Sequence, residues 1–139
     1  MTDRLNEVVA ALNAATTKEG LTIRADVVDA GERIIKIEVE EREEFPIMLD
    51  IDDDQMTAIV NLWGQDEVKE GAEAEMMSVM LSMNVALPLS AFAKTGGVYQ
   101  LFGAMSVNTL TENIIEEISV LSDNALAALD ALGDYLNTQ

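Results

Sequence analysis

The chain has 139 residues, of which 49% are hydrophobic, and this is enough apolar material for one stable core without a disulfide or metal. It contains no cysteine and no histidine, so thiol catalysis, zinc–thiolate sites and histidine-based acid–base devices cannot be built from it. The 26 acidic and 8 basic residues give a net charge of −18, which disfavours nucleic acid and anionic membrane surfaces as direct partners.

The first half of the chain reads as one helix followed by four strands. Leu5, Val8 and Leu12 fall at helical spacing, and Gly20 is a typical stop, so the pattern predicts a helix over residues 3–19. Apolar residues then alternate with charged ones, which is typical of half-buried antiparallel strands. The predicted strands cover residues 21–28, 33–41, 47–52 and 56–63, and the turn at residues 52–54 joins the last two as a hairpin.

The second half reads as a helix, a hairpin and a long helix. The middle helix is predicted over residues 66–84, because Pro88 prevents a longer one. Residues 90–94 and 98–106 form a hairpin around Thr95-Gly96-Gly97. Thr109 followed by Glu112 is a capping-box pattern, which predicts the start of a last helix over residues 110–136. Its apolar stripe consists of Ile114, Ile118, Leu121, Ala125, Leu129, Leu132 and Leu136.

These elements predict one α+β domain over residues 1–139, in the order α-β-β-β-β-α-β-β-α. We expect an antiparallel sheet of about five to six strands with the helices packed on it. No apolar run has the length of a membrane span, and the N-terminus lacks the apolar core of a signal peptide. The sequence therefore predicts a cytoplasmic protein with no direct membrane insertion.

The middle helix has an unusually wide apolar arc. Met76, Met77, Met80 and Met83, with Val79 and Leu81, span about 200° of the helix, whereas docking on one sheet face needs about 100° or somewhat more. Either a second internal element covers the excess, or part of the arc is an interface with another molecule. Methionine adapts its shape and recurs on binding surfaces, so its abundance here is consistent with an interface with another molecule.

Four glutamates, Glu40, Glu41, Glu43 and Glu44, lie close together after the second predicted strand. Such a run can attract a basic partner, but more often it is simply a solvated strand end and loop. The net charge of the whole chain also has two explanations. It can attract a partner with a basic surface, or it can reflect solubility or adaptation to a salty cytoplasm.

Two motifs resemble ligand-binding loops but lack features that such loops require. Asp50, Asp52 and Asp54 have the first spacing of a calcium loop, but its sixth and twelfth positions are occupied by Gln55 and Asn61. Thr95-Gly96-Gly97 is followed by a strand rather than a helix, so it does not predict a phosphate loop. We therefore expect no metal and no cofactor.

Several segments resemble the YjfI-like family of uncharacterised bacterial proteins, and the resemblance extends over most of the chain. They are Leu62-Trp63, Ala86-Leu87-Pro88-Leu89-Ser90, residues 98–106, Glu116-Glu117 and Leu121-Ser122-Asp123-Asn124. The resemblance implies no catalytic residues. It implies a link to a phage-shock-type membrane-stress system, because genes of this family often stand beside one for such a protein. The element order is similar to the type III secretion chaperone-like fold, in which small acidic proteins bind polypeptides and commonly dimerise.

The leading hypothesis is a non-enzymatic, homodimeric protein whose partner is a polypeptide with a basic or apolar surface. The predicted interface residues are Met76, Met77, Met80, Met83, Glu40, Glu41, Glu43 and Glu44. One alternative is a small-ligand-binding regulatory domain with a pocket between the sheet and the long helix. Trp63, Tyr99 and Phe102 would line it, although core packing is the more common use of each. The second alternative is a carboxylate-based hydrolase, which needs two facing carboxylates in a deep pocket.

Overall fold

The structure is a computed structural model and describes residues 2–137, so the two ends of the predicted domain, residues 1, 138 and 139, lie outside the described part. It contains three helices, α1 (Thr2–Asn13), α2 (Glu73–Met83) and α3 (Thr111–Leu132). The six strands are β1 (Ile23–Asp29), β2 (Ile34–Val39), β3 (Ile47–Ile51), β4 (Gln55–Gly64), β5 (Ala91–Thr95) and β6 (Val98–Ser106).

The six strands form one antiparallel sheet in the order β1-β2-β3-β4-β6-β5. Its register sets Ile37 beside Ile47, Ile47 beside Val60 and Val60 beside Leu101, and all four side chains are buried. The side chains between them point to the opposite face and are exposed or half-buried. The sheet therefore has one core face and one open face.

The helices cover the core face. In α1, Leu5, Val8 and Leu12 are buried at helical spacing, and in α3 Ile114 and Ile118 begin a buried stripe. Six of the seven predicted stripe residues of the last helix are buried, and the seventh, Leu129, is 37% exposed. The predicted α+β class and element order are confirmed. No helix within residues 2–137 combines the length and the apolarity needed to cross a membrane.

The first helix is shorter than predicted, and the reason lies in β1. The helix ends at Asn13, whose side chain donates to Ala25 O (2.9 Å) and accepts from Ala25 N–H (2.8 Å). The chain then turns, and Thr16 bridges to Thr22. The prediction of a helix to residue 19 was wrong because helical spacing cannot reveal a hydrogen-bond partner that lies on another element, as Ala25 does.

The middle helix begins later than predicted, at Glu73 instead of Asp66. Gln65–Glu67 form a single 3-10 turn, and Val68 pairs with Leu136 as an isolated bridge. Gly71 has a φ of +81°, which an α-helix cannot contain. The contact between Val68 and the C-terminal residues thus overrides the helical spacing of this segment.

The capping box predicted for the last helix is not formed. Leu110 occupies the N-cap, and the hydroxyl of Thr109 instead donates to Ser106 O at 2.6 Å. The helix ends at Leu132, because Gly133–Tyr135 tighten into a 3-10 turn that brings Leu136 to Val68.

Candidate interaction surface

The exposed face of α2 and the loop after it form an apolar surface. Met77 is 36% exposed, Leu81 69%, Val85 92% and Leu89 51%, and the spacing from Met77 to Leu81 to Val85 places them along one side. Leu89 has a φ of +62°, which holds the loop in a sharp turn. We call Met77, Leu81, Val85 and Leu89 the α2 surface.

The α2 surface lies in a segment without charge. No charged residue occurs from Met76 to Ala93, although the chain has 26 acidic and 8 basic residues. Only serines, alanines, Asn84 and Pro88 separate its apolar residues. A solvent-facing helix normally carries charged residues on its outer side, so this one is unusual.

The predicted methionines divide between the core and this surface. Met76 is fully buried and Met80 is 4% exposed, so their side chains pack inside the protein. Met83 is half-buried against the core, and Met77 is exposed. Internal packing thus accounts for part of the apolar arc. The interface stays a prediction, and of the four methionines only Met77 and Met83 are accessible enough to take part in it.

The interface predicted from sequence did not include the exposed residues Val85 and Leu89 beyond the helix end, although Leu89 lies in a segment that carries the family resemblance. Their signal is present in the sequence as the uncharged run from Met76 to Ala93. Helical periodicity does not reveal this signal, because the uncharged run continues beyond the end of α2 into a loop, where side chains do not follow the helical repeat.

A shallow groove of about 150 Å³ lies between α2 and β5. Its wall is mostly apolar, and Lys94 is the one charged residue among those that line it. The lining residues are Met77, Met80, Leu81, Phe92, Ala93, Lys94 and Tyr99. An apolar side chain of another molecule fits such a groove better than a charged one, because a charge would lose its hydration there.

Glu73 anchors the start of α2 to the sheet beside this groove. The Tyr99 hydroxyl donates to Glu73 Oε2, Gln65 Nε2 donates to Oε1 (3.1 Å), and Lys94 Nζ lies 3.3 Å from Oε2. The Tyr99 hydrogen bond, followed by that of Gln65, lowers the pKa of Glu73. Burial and then the Glu73 carboxylate raise the pKa of Tyr99. The cluster keeps Glu73 ionised and fixes the helix on the sheet.

The predicted acidic residues lie elsewhere, in the loop between β2 and β3. Glu40, Glu41, Glu43 and Glu44 are all exposed, while Arg42 turns inward to Asp123 at 3.0 Å. This leaves the four glutamates as the outward charges of the loop. Since β2 and β3 are separated from β5 by β4 and β6, the structure places this loop apart from α2.

Charge is distributed unequally over the sheet. β1, β2 and β3 carry Arg24, Asp26, Asp29, Lys36, Glu38 and Asp50. β4, β6 and β5 carry a single charged residue, Lys94. Because the sheet order keeps each group of three strands together, one half of the sheet is charged and the other half is nearly uncharged.

Four of the five segments that carry the family resemblance meet at the loop after α2. Asn124 of α3 is buried and donates from Nδ2 to Pro88 O (3.0 Å) and Ser90 Oγ (2.7 Å). Beneath the loop, a methyl group at Gly103 would stand 2.8 Å from the backbone oxygen of Leu89, which cannot move aside as a side chain can, so only glycine fits there. The cluster holds the loop that presents Leu89.

The residues suggested for a ligand pocket do not line one cavity. Trp63 and Tyr99 are cross-strand neighbours buried in the core, and Phe102 lies on the open face of the sheet. Core packing, which is the more common use of such residues, accounts for Trp63 and Tyr99. Phe102 lies on the other face because strand register, unknown from sequence, decides the face. Asp52, Asp53 and Asp54 form an exposed turn beside Arg33. Within residues 2–137, no three acidic side chains converge in a way that suits a metal ion.

Comparison with known proteins identifies the fold and the family. No curated protein matches this chain in sequence. The crystal structure of the ExsC–ExsE complex contains a chain with the same fold, with a TM-score of 0.60 and 15% identity over 95% of this chain and 96% of that one. The family described as uncharacterized protein conserved in bacteria (DUF2170) matches residues 3–136. The chain therefore belongs to this bacterial family.

Proposed function

We propose that the protein is a non-enzymatic protein-binding module, chaperone-like in its role, that works in the cytoplasm as a single-domain homodimer. The α2 surface forms the contact between the two copies, and the partner is a polypeptide with a basic or apolar surface. The observation that carries the proposal is the uncharged, exposed α2 surface on a chain with a net charge of −18.

Electrostatics restricts where two copies of this chain can meet. Two bodies with a charge of −18 each repel one another, and carboxylates brought face to face would add to the repulsion. The segment from Met76 to Ala93 contributes no such charge. Contact there gains the burial of Leu81 and Val85 without desolvating a carboxylate.

The shape of the α2 surface suits a symmetric contact. Leu81 projects from the helix, and the groove of about 150 Å³ between α2 and β5 lies beside it. Ser78 and Ser82 are small, so a second helix can approach closely. In a twofold dimer each copy offers both the projection and the groove, and the contact is satisfied twice.

A polypeptide partner is supported by the solved structure with this fold, which is that of a complex between ExsC and ExsE. Glu40, Glu41, Glu43 and Glu44 would attract the basic residues of such a partner. The resemblance to the YjfI-like family directs the search for that partner to a phage-shock-type membrane-stress system.

Replacing Leu81 with aspartate tests the dimer. Leu81 is 69% exposed in the single chain, so Leu81→Asp leaves the fold intact and places a charge in the proposed contact. We expect the dissociation constant of the dimer to rise by about tenfold or more, as measured by sedimentation equilibrium.

Leu110→Asp is the matched control. Leu110 is 61% exposed, lies at the N-cap of α3, and gains the same charge where a helix N-terminus tolerates an anion. This variant should dimerise like the unmodified protein. If both variants dimerise equally well, or if the unmodified protein is a monomer throughout, the α2 contact is excluded.

A further inference from the structure

The open face of the sheet carries a row of apolar side chains across four strands. Met48 pairs with Ile59, Ile59 with Phe102, and Phe102 with Ala91. Met48 is 37% exposed and the other three are half-buried, so the row is accessible. With about 4.8 Å between strands the row is about 14 Å long, which matches more than two turns of a helix. We call Met48, Ile59, Phe102 and Ala91 the open-face row.

An acidic turn lies beside the open-face row, beyond Met48 along β3, while the cross-strand neighbour of Met48 on β2 is Lys36. Asp50 is two residues from Met48 on the same strand and the same face, and Asp52, Asp53 and Asp54 follow it. Arg33 pairs with Asp53 at 3.0 Å, and no other ion pair in residues 2–137 involves these four aspartates. Burial, and then the charge of Asp52, raise the pKa of Asp50, while the charge of Arg33 acts in the opposite direction.

We propose that the open-face row is the docking site for a polypeptide segment in which apolar side chains are followed by Lys or Arg. The apolar side chains cover Met48, Ile59 and Phe102, and the cation pairs with Asp50 and the turn after it. This inference rests on the proposed protein-binding role and assigns the partner a surface distinct from α2.

The chemistry of the row selects this occupant. β4, β6 and β5 place no charged side chain on the open face, so a fully ionic partner would find nothing there to pair with. An apolar segment without a cation would leave the Asp50 carboxylate uncompensated as its water is removed. A second copy of the chain adds its own charge of −18 and is opposed at the acidic end.

The methionine methyl groups provide a direct readout in the unmodified protein. Methionine with ¹³C-labelled methyl groups gives separate NMR signals for Met48 on the open face and Met77 on α2, assigned by Met48→Leu and Met77→Leu. The probe is a helical peptide of about 15 residues, called the leucine–lysine peptide, in which leucines are followed by lysines as in the proposed occupant. We expect the peptide to shift the Met48 signal and to leave Met77 unchanged.

Two further peptides separate the apolar and ionic contributions. One has glutamate in place of every lysine, and the other has serine in place of every leucine. Both should leave the Met48 signal unmoved at concentrations that saturate the leucine–lysine peptide. A shift of Met77 in place of Met48 would overturn the inference, as would a Met48 response to the serine–lysine peptide of equal size.

Substitutions on β4 distinguish docking from general attraction to an acidic protein. Ile59→Asp interrupts the row but adds a negative charge, whereas Asn61→Asp adds the same charge beyond the row. Asn61 accepts from Gln100 Nε2 at 2.8 Å, and aspartate keeps that acceptor. We expect Ile59→Asp to raise the dissociation constant for the leucine–lysine peptide by about tenfold. The Asn61→Asp variant should bind the peptide at least as tightly as the unmodified protein does.

Tighter binding by Ile59→Asp would mean that charge alone holds the peptide, and would overturn the inference. If Ile59→Asp fails to fold, the Met48 and Met77 signals of the unmodified protein decide the question. If the unmodified protein is a dimer but its Met48 signal does not respond to the peptide, the open-face docking site is rejected and the α2 contact is not. A monomer whose Met48 signal responds rejects the α2 contact alone.

Discussion

Glu117 is held against the core face of the sheet in an environment that disfavours its charge. Its Oε2 is buried without a hydrogen-bond partner and faces Gly103. The same glycine faces the Leu89 carbonyl oxygen, which can accept but cannot donate a hydrogen bond. Burial, and then the neighbouring Glu116, raise the pKa of Glu117.

The raised pKa predicts that Glu117→Gln stabilises the protein near neutral pH. As pH rises above the ordinary glutamate value of 4.5, the unfolded chain ionises first, so the free energy of unfolding falls until the higher folded pKa is passed. Glutamine has no charge to desolvate. We expect the variant to be more stable at about pH 7 and equal to the unmodified protein at about pH 4, by urea unfolding at both values.

Glu116→Gln is the control for this substitution. The Glu116 side chain is 51% exposed, and its charge contributes less than burial does to the raised pKa of Glu117. Its removal should therefore stabilise the protein at about pH 7 by less than Glu117→Gln does, and should change stability little at about pH 4. If Glu117→Gln is less stable than the unmodified protein at about pH 7, the carboxylate has a partner and its charge is favourable.

At the scale of elements, an asparagine covers each edge of the sheet. Asn13, the last residue of α1, satisfies both the N–H and the C=O of Ala25 on the edge strand β1. At the other edge, Asn84 Oδ1 accepts from the N–H of Phe92 on β5 at 2.7 Å. Each side chain occupies backbone groups that another strand would otherwise pair with.

Asn13→Ala should therefore both weaken the fold and open an edge. Two hydrogen bonds to Ala25 are lost, which costs about 1–3 kcal/mol of unfolding free energy. Faster aggregation should accompany the loss, because β1 also exposes Val27 and Val28. Urea unfolding and light scattering measure the two effects. Asn6→Ala, on the exposed side of α1, should show neither, and equal behaviour of the two variants would contradict this role.

The strands could be predicted from sequence because alternation is local. Ile35, Ile37 and Val39 show their buried face directly, and the fold class follows from the order of such segments. The helix ends could not be predicted, since Asn13 is held by Ala25 and Val68 is held by Leu136. These partners are distant in sequence and leave no periodic signal.

The candidate surface could be predicted only in part. The apolar width of α2 pointed to an interface, but which methionines are buried depends on how the helix sits on β5 and β6. The open-face row depends on register, because Met48, Ile59 and Phe102 become neighbours only when β3, β4 and β6 pair as they do.

At the scale of the whole molecule, charge and apolar surface are separated. β1 to β3 and the loop of Glu40 to Glu44 carry charge, while β4, β6, β5 and the α2 surface carry almost none. The charged half maintains solubility and repels other copies. The uncharged half provides the area on which contact with another polypeptide costs least desolvation.

This separation predicts an unusual response of the dimer to salt. Copies that meet through an uncharged contact are opposed by the repulsion of their remaining charges, which salt screens. Added salt should therefore tighten the dimer. A contact held by opposite charges would respond in the other direction.

The most direct test of the central claim is sedimentation equilibrium of the unmodified protein at about 0.05 M and about 0.5 M NaCl. We expect a dimer whose dissociation constant falls as salt rises, and we expect Leu81→Asp to raise that constant by about tenfold or more at both concentrations. A dimer that loosens with salt, or a monomer at both concentrations, would contradict it.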